Sequence, residues 1–224
     1  MPTRPRTVVF DVVETLMSLE NLRPRLSEAG MDPGLLERFY DRMIRDGEAL
    51  ALTGDYEPFP RVAAAALRAV AGDIGDDAVA HVLAGFGHLD AQPDAAPAMR
   101  SLASGGISMV CLTNGATDTT TAFLERSGLD RHIDGVMSAA EARGWKPHAR
   151  VYEYALERLA QPAESVALVA VHAFDCHGAK RVGLTTGWAS RREGHYADIF
   201  APADVEGGDL AEVARALLDL PARE

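Results

Sequence analysis

Four stretches of this chain place a reactive side chain at or just beyond the end of an apolar run. VVFDVVET (8–15) carries Asp11 and Thr15, and CLTNG (111–115) carries Thr113 and Asn114. GWKP (144–147) carries Lys146, and VAVHAFD (169–175) carries His172, Phe174 and Asp175. A carboxylate at the exit of a buried strand is costly unless something pairs with it. Lys146 is the cation that would hold Asp11 ionised: at ~4 Å and an effective dielectric of roughly 20, such a pair attracts by about 4 kcal/mol before desolvation is subtracted. His172 admits two readings, a base working near neutral pH or a satisfied core residue. Asp11 by itself reads equally as a helix cap or turn residue, Lys146 as a surface lysine before a proline, and TNG as a cap for the helix that follows it.

These residues need a scaffold that brings four separated segments together. TVVFDVV (7–13), ISMVCLT (107–113), DGVMSA (134–139) and VALVAV (166–171) are continuous apolar runs, the pattern of strands buried on both faces. VGLTTGWAS (182–190) is a weaker fifth run. Helical patterns fall between them at 118–129 and 148–160, the latter after the helix-starting Pro147, and LAEVARALLDL (210–220) closes the chain. This alternation predicts an α/β fold with a doubly wound, Rossmann-like parallel sheet. Residues 17–95 break the rhythm: their pattern is helical throughout, punctuated by Pro33-Gly34, Thr53-Gly54 and Gly72-Asp73. The predicted organisation is an α/β core of residues 1–16 and 96–224, with an all-helical insertion of 17–95 after the first strand and the sheet resuming near 93–100. In open parallel sheets a ligand sits beyond the carboxyl ends of the strands, which is where all four motifs fall.

Composition narrows the partner. The 224 residues carry a formal net charge of -11, a balance that repels nucleic acid and anionic membrane, and no Lys/Arg cluster opposes it. A small molecule is the expected partner, and an anionic one requires local positive charge at the site. Two cysteines, Cys111 and Cys176, do not make a disulfide scaffold. No run approaches the ~18 apolar residues of a membrane span, and MPTRPRTVVF lacks a signal-type apolar segment. The expectation is a cytoplasmic protein with reduced thiols.

FDVVETL, LTNG, the lysine of WKPHARVY, and HAFDCHGAK, in this order and with a helical insertion after the first, resemble the four motifs of the haloacid dehalogenase superfamily. The resemblance covers essentially the whole chain and implies that 17–95 is a cap domain. Departures separate two chemistries. Phosphatase members carry a second aspartate two positions after the nucleophile, where this chain has Val13. Val171 stands where the first acid of their magnesium-binding motif would be. Mg²⁺ requires hard oxygen ligands, so the losses favour a metal-free, cofactor-free reaction. The 2-haloacid dehalogenase branch matches further, in Lys146-Pro147 with Tyr152, Phe174-Asp175 with Gly178-Ala179, and Gly54, Tyr56 and Phe59 of the insertion. Against that branch, an aromatic and a glycine are replaced by Val13 and Glu14, and an asparagine by His172. Its halide-binding arginine aligns with Tyr40, flanked by Arg38 and Arg42.

What the resemblance implies is a two-step hydrolase. Asp11 displaces halide from a small 2-substituted carboxylic acid to form an aspartyl ester, and water then attacks that ester. Lys146 would keep Asp11 charged, and Asp175 with His172 would orient or activate the water. Thr15, Thr113, Asn114, Arg42, Tyr40 and Phe174 would hold Asp11 or the substrate, and a homodimer is a family expectation. The alternatives are a Mg²⁺-dependent phosphatase acting on a small phosphomonoester and a small-acid-binding protein without turnover.

Overall fold

A computed structural model describes residues 2–222; Met1, Arg223 and Glu224, at the ends of the expected core, lie outside the described residues. Six parallel strands form one sheet: β1 (Thr7–Phe10), β4 (Ser108–Thr113), β5 (Gly135–Ser138), β6 (Val166–Ala170), β7 (Thr185–Ala189) and β8 (Val205–Gly207). Their spatial order is β5-β4-β1-β6-β7-β8. The register sets Phe10 beside Cys111 on one flank and Val169 on the other. Asp11 therefore leaves the sheet level with Leu112, one residue before β4 ends, and with Ala170, where β6 ends.

Both faces of the sheet are covered, which explains the unbroken apolar runs. Val8, Phe10, Met109 and Val169 share one core with residues of α5 (Ala95–Ser104), α6 (Thr117–Ser127) and α9 (Leu210–Leu218). Val9, Val110, Leu112 and Leu168 face the opposite way, onto α7 (Ala149–Leu159) and α8 (Ala173–Arg181). The period of two along each strand divides its side chains between the two layers.

Between the first and second strands of that sheet runs a helical segment: α1 (Leu22–Glu28), α2 (Leu35–Thr53), α3 (Phe59–Ala71) and α4 (Asp76–Leu83). On α2, Leu36, Tyr40, Met43, Gly47 and Ala51 are buried, a spacing of three and four that lays one apolar stripe against the rest of the molecule. Gly47 is required there, because a Cβ at that position would sit 2.3 Å from the Trp145 ring. Trp145 also stacks on Phe59, with centroids 5.9 Å apart, and donates its indole N–H to the Glu57 carbonyl at 3.0 Å. The residue before Lys146 thus seats the helical layer on the sheet.

Several expectations need correction. The insertion is bounded by strands the sequence pattern missed, β2 (Met17–Ser18) and β3 (Asp90–Ala91), paired antiparallel. Two residues are too few for alternation to register. Residues 93–100 do not resume the sheet: α5 occupies 95–104, and the sheet returns at Ser108. β1 stops at Phe10 rather than Val13, because the chain turns there and Leu16 and Met17 both donate to the Val12 carbonyl. α7 falls within the expected 148–160, capped by His148, whose Nδ1 accepts the Arg150 N–H. β8 was not anticipated.

Candidate active site

The strand ends converge on a buried cluster of charges. Lys146 Nζ lies 2.5 Å from Asp11 Oδ1 and 2.8 Å from Asp175 Oδ2, and donates to the Leu112 carbonyl at 3.0 Å. Its side chain is 2% exposed, so the ammonium is held almost entirely by these three oxygens. Thr15 donates to Asp11 Oδ2 at 2.6 Å, and its own oxygen accepts the Val171 N–H at 3.1 Å. Tyr152 donates to Asp175 Oδ1 at 2.6 Å. Asp175 lies in the first turn of α8, where the helix N-terminus favours negative charge.

His172 extends the cluster on the far side of Asp11. Its Nδ1 is 3.4 Å from Asp11 Oδ2, and its Nε2 is 2.9 Å from Glu14 Oε2. Glu14 Oε1 in turn meets Arg192 Nε at 2.7 Å. The side chains form an alternating series: Asp175, Lys146, Asp11, His172, Glu14, Arg192. Tyr40 and Phe174 stack on the His172 ring, at 5.7 and 5.2 Å between centroids, and fix its plane.

These neighbours set protonation. Burial would raise the Asp11 carboxyl, but Lys146 and His172 overcome that and hold it well below the ordinary carboxylate range. Lys146, despite burial, is raised above an ordinary lysine by Asp11 and Asp175. Burial disfavours the imidazolium of His172, yet its bonds to Asp11 and Glu14 raise it to about 9. Asp175 shares Lys146 but lies next to Asp11 and is raised, chiefly by burial. On α2, Glu48 is pushed up to about 7 by burial and by the charge of Asp175. Cys111 is raised to about 12 by burial, which leaves it inert as a nucleophile at neutral pH.

The backbone around Glu14 is held in place deliberately. Glu14 has φ 65°, the left-handed region that favours glycine. Its carbonyl accepts from Gln92 at 3.2 Å and Arg191 at 3.0 Å, and Arg191 also bonds the Thr15 carbonyl at 2.7 Å. The site therefore retains a conformation costing on the order of 1–2 kcal/mol, with both ends of Glu14 tied down.

Asp11, Thr15, Lys146, His172, Phe174, Asp175 and Tyr40 thus lie together. Three expected residues behave differently. Arg42 is on the opposite side of α2 from Tyr40 and Ile44, paired with Asp46 at 2.7 Å, so it does not reach the cluster. Thr113 does not donate to Asp11; its oxygen accepts the Gly115 N–H at 2.9 Å. Nor does Asn114, whose Oδ1 accepts the Lys146 backbone N–H at 2.9 Å and positions that lysine. Neither caps α6, whose N-cap, Ala116, has no capping side chain. Glu14, Trp145, Arg191 and Arg192 were not assigned roles from the sequence. The arginines follow β7, the weakest of the anticipated strands, and the strand-end rule applied there would have found them. Among the described residues no group of three or more His, Cys, Asp or Glu side chains is arranged to hold a metal ion. No described helix is long and apolar enough to cross a membrane.

Comparison with known proteins agrees with this geometry. (S)-2-Haloacid dehalogenase 4A of Burkholderia cepacia is 32% identical over 132 residues, 59% of this chain and 57% of that protein. (S)-2-Haloacid dehalogenase H-109 of Pseudomonas putida is 25% identical over 95% of this chain and 97% of its own. A solved dehalogenase with an intermediate complex superposes with a TM-score of 0.87 at 26% identity, covering 100% of both chains. A family model described as haloacid dehalogenase-like hydrolase matches residues 5–183, and with that span containing Asp11, Lys146 and Asp175, the chain belongs to the haloacid dehalogenase-like hydrolases.

Proposed function

We propose that this hydrolase removes halide from small 2-halo carboxylic acids through an ester on Asp11, without a metal ion. The observation that carries the reading is the buried Asp11 carboxylate, 2.5 Å from Lys146 and held well below its ordinary range. Such a group is ionised at neutral pH and partly stripped of water, the condition for attack on a saturated carbon. An Asp11 oxygen bonds to C2 as the carbon–halogen bond breaks, and the bonding pair leaves as halide. Halide needs no proton, so Val13 in place of an acid is no handicap. The substrate carboxylate fits the start of α6, where the uncapped first turn and the Asn114 amide offer N–H donors.

In the second step water attacks the Asp11 carbonyl carbon. Ester formation has removed the Asp11 charge, and with it one of the two carboxylates that stabilise the His172 imidazolium. The ring then releases its proton to solvent, and the neutral imidazole takes a proton from the attacking water, with Glu14 at Nε2 fixing its orientation. The tetrahedral species expels the 2-oxygen of the product, which takes the proton from His172, and the water oxygen stays in Asp11, whose own proton passes to His172 as the carboxylate and the imidazolium are restored. Asp175 anchors Lys146 throughout, while the helical segment 17–95 acts as the cap that excludes bulk water.

The test is halide release from (S)-2-chloropropionate in EDTA, with Asp11→Asn as control. Release by the wild type and none by the variant is expected, together with one ¹⁸O in Asp11 after a single turnover in H₂¹⁸O. Activity surviving in Asp11→Asn, or turnover abolished by EDTA, refutes the reading.

A further inference from the structure

Of the cavities near the strand ends, two differ sharply in character. One is bordered by Glu14, Glu37, Asp41, Glu48 and Glu193 against Arg45, Arg192 and His172. Its carboxylates outnumber its cations, a poor surroundings for an incoming anion. The other, about 280 Å³, lies between the helical layer and the sheet and has no charged residue in its wall. Val13, Phe59, Ala63, Leu83 and Phe86 form its apolar side, and Thr113 and Gly115 the side toward the strand ends.

The wall of the second cavity includes neighbours of the reacting centre. Val13 is two residues beyond Asp11, and Thr113 ends the strand beside β1. Ala116 and Thr119, at the start of α6, complete the wall on that side. A 2-halo acid with its carboxylate at the start of α6 and C2 at Asp11 has its halogen in line behind C2, away from Asp11, and its C3-and-beyond substituent left to place to the side. The apolar space adjoining both points receives it. An apolar cavity of ~150 Å³ is enough for a benzene ring, so this one exceeds what a methyl group fills. A ring at position 13 would occupy the room that valine leaves.

Resting on the dehalogenase reading, we infer that the uncharged cavity is an acyl-chain subsite and that the enzyme prefers 2-halo acids with a chain of about four to six carbons, or a phenyl substituent, over halo-acetate and -propionate. Val13, Ala63 and Ala84 set the limit on chain size.

The experiment compares kcat/KM for halide release across (S)-2-chloro acids from propionate to hexanoate and for 2-chloro-2-phenylacetate. Calorimetric affinities are measured in parallel for the unhalogenated alkanoates. Each added methylene is expected to raise both quantities about fourfold until the cavity fills. Two variants narrow the space: Ala63→Leu in the wall and Ala84→Phe at the solvent-exposed rim, the second tolerable even where the first perturbs packing. Either should collapse the hexanoate-to-propionate ratio toward one. A flat or falling chain-length series in both measurements, or a series unchanged by folded variants, overturns the subsite. Rising alkanoate affinities without halide release would instead refute the dehalogenase reading and leave the subsite standing.

Discussion

Replacing Glu14 with glutamine tests the logic of the histidine most directly. His172 is raised from 6.5 to about 9 although burial opposes its charge, so its partners favour the imidazolium by about 3 kcal/mol net of desolvation. Two carboxylates supply this, Glu14 at 2.9 Å and Asp11 at 3.4 Å. Glu14→Gln keeps the shape and a hydrogen-bonding group but removes one of the two charges, and roughly half the effect should go with it. The expected result is a fall in the His172 pKa of about 1–2 units, worth some 1.4–2.7 kcal/mol. NMR titration of the imidazole in both proteins measures it. The stability consequence has a definite sign. A raised folded-state pKa stabilises fully below 6.5 and loses that contribution as pH rises through about 9. The wild-type advantage in Tm over Glu14→Gln should therefore be larger at pH 6 than at pH 10. An unchanged or higher His172 pKa in the variant would refute the account of this dyad.

Lys146→Met should abolish halide release and destabilise the fold by about 3–5 kcal/mol, because Asp11 and Asp175 would be left buried without their shared cation; urea unfolding at pH 7 measures the loss, which should shrink as the carboxylates are protonated in acid. Glu48→Gln should matter in one direction only. A carboxyl raised from 4.5 to about 7 costs stability once pH exceeds 4.5, with the full cost reached above 7. The variant should accordingly gain Tm relative to wild type at pH 8 and not at pH 4.5, as scanning calorimetry would show.

The core strands and the order of the motifs were legible because the sheet is covered on both faces and writes itself as unbroken apolar runs. Asp11, Lys146 and Asp175 were legible because each follows such a run or its loop. What escaped was set by contacts between distant segments. Glu14 and His172 look like two unrelated departures in sequence, yet their side chains meet at 2.9 Å, so each replacement supplies the partner of the other. Arg42 was misplaced because proximity along a helix is not proximity in space: two residues from Tyr40 is about 200° around the axis. Thr113 and Asn114 carry the right groups, but the Thr113 oxygen is taken by the bend after β4 and the Asn114 oxygen by the backbone of Lys146.

The pairing of Met17 with Ala91 and Ser18 with Asp90 means that the polypeptide departs from the sheet and comes back at neighbouring points. As far as the six-stranded platform is concerned, some seventy residues amount to a detour with no net displacement. Changing the length of such a detour alters closure entropy only logarithmically, and the platform is not asked to move. Segments of the detour away from Tyr40 and Gly47 can therefore change in length while the strand ends that carry Asp11 and Asp175 stay where they are.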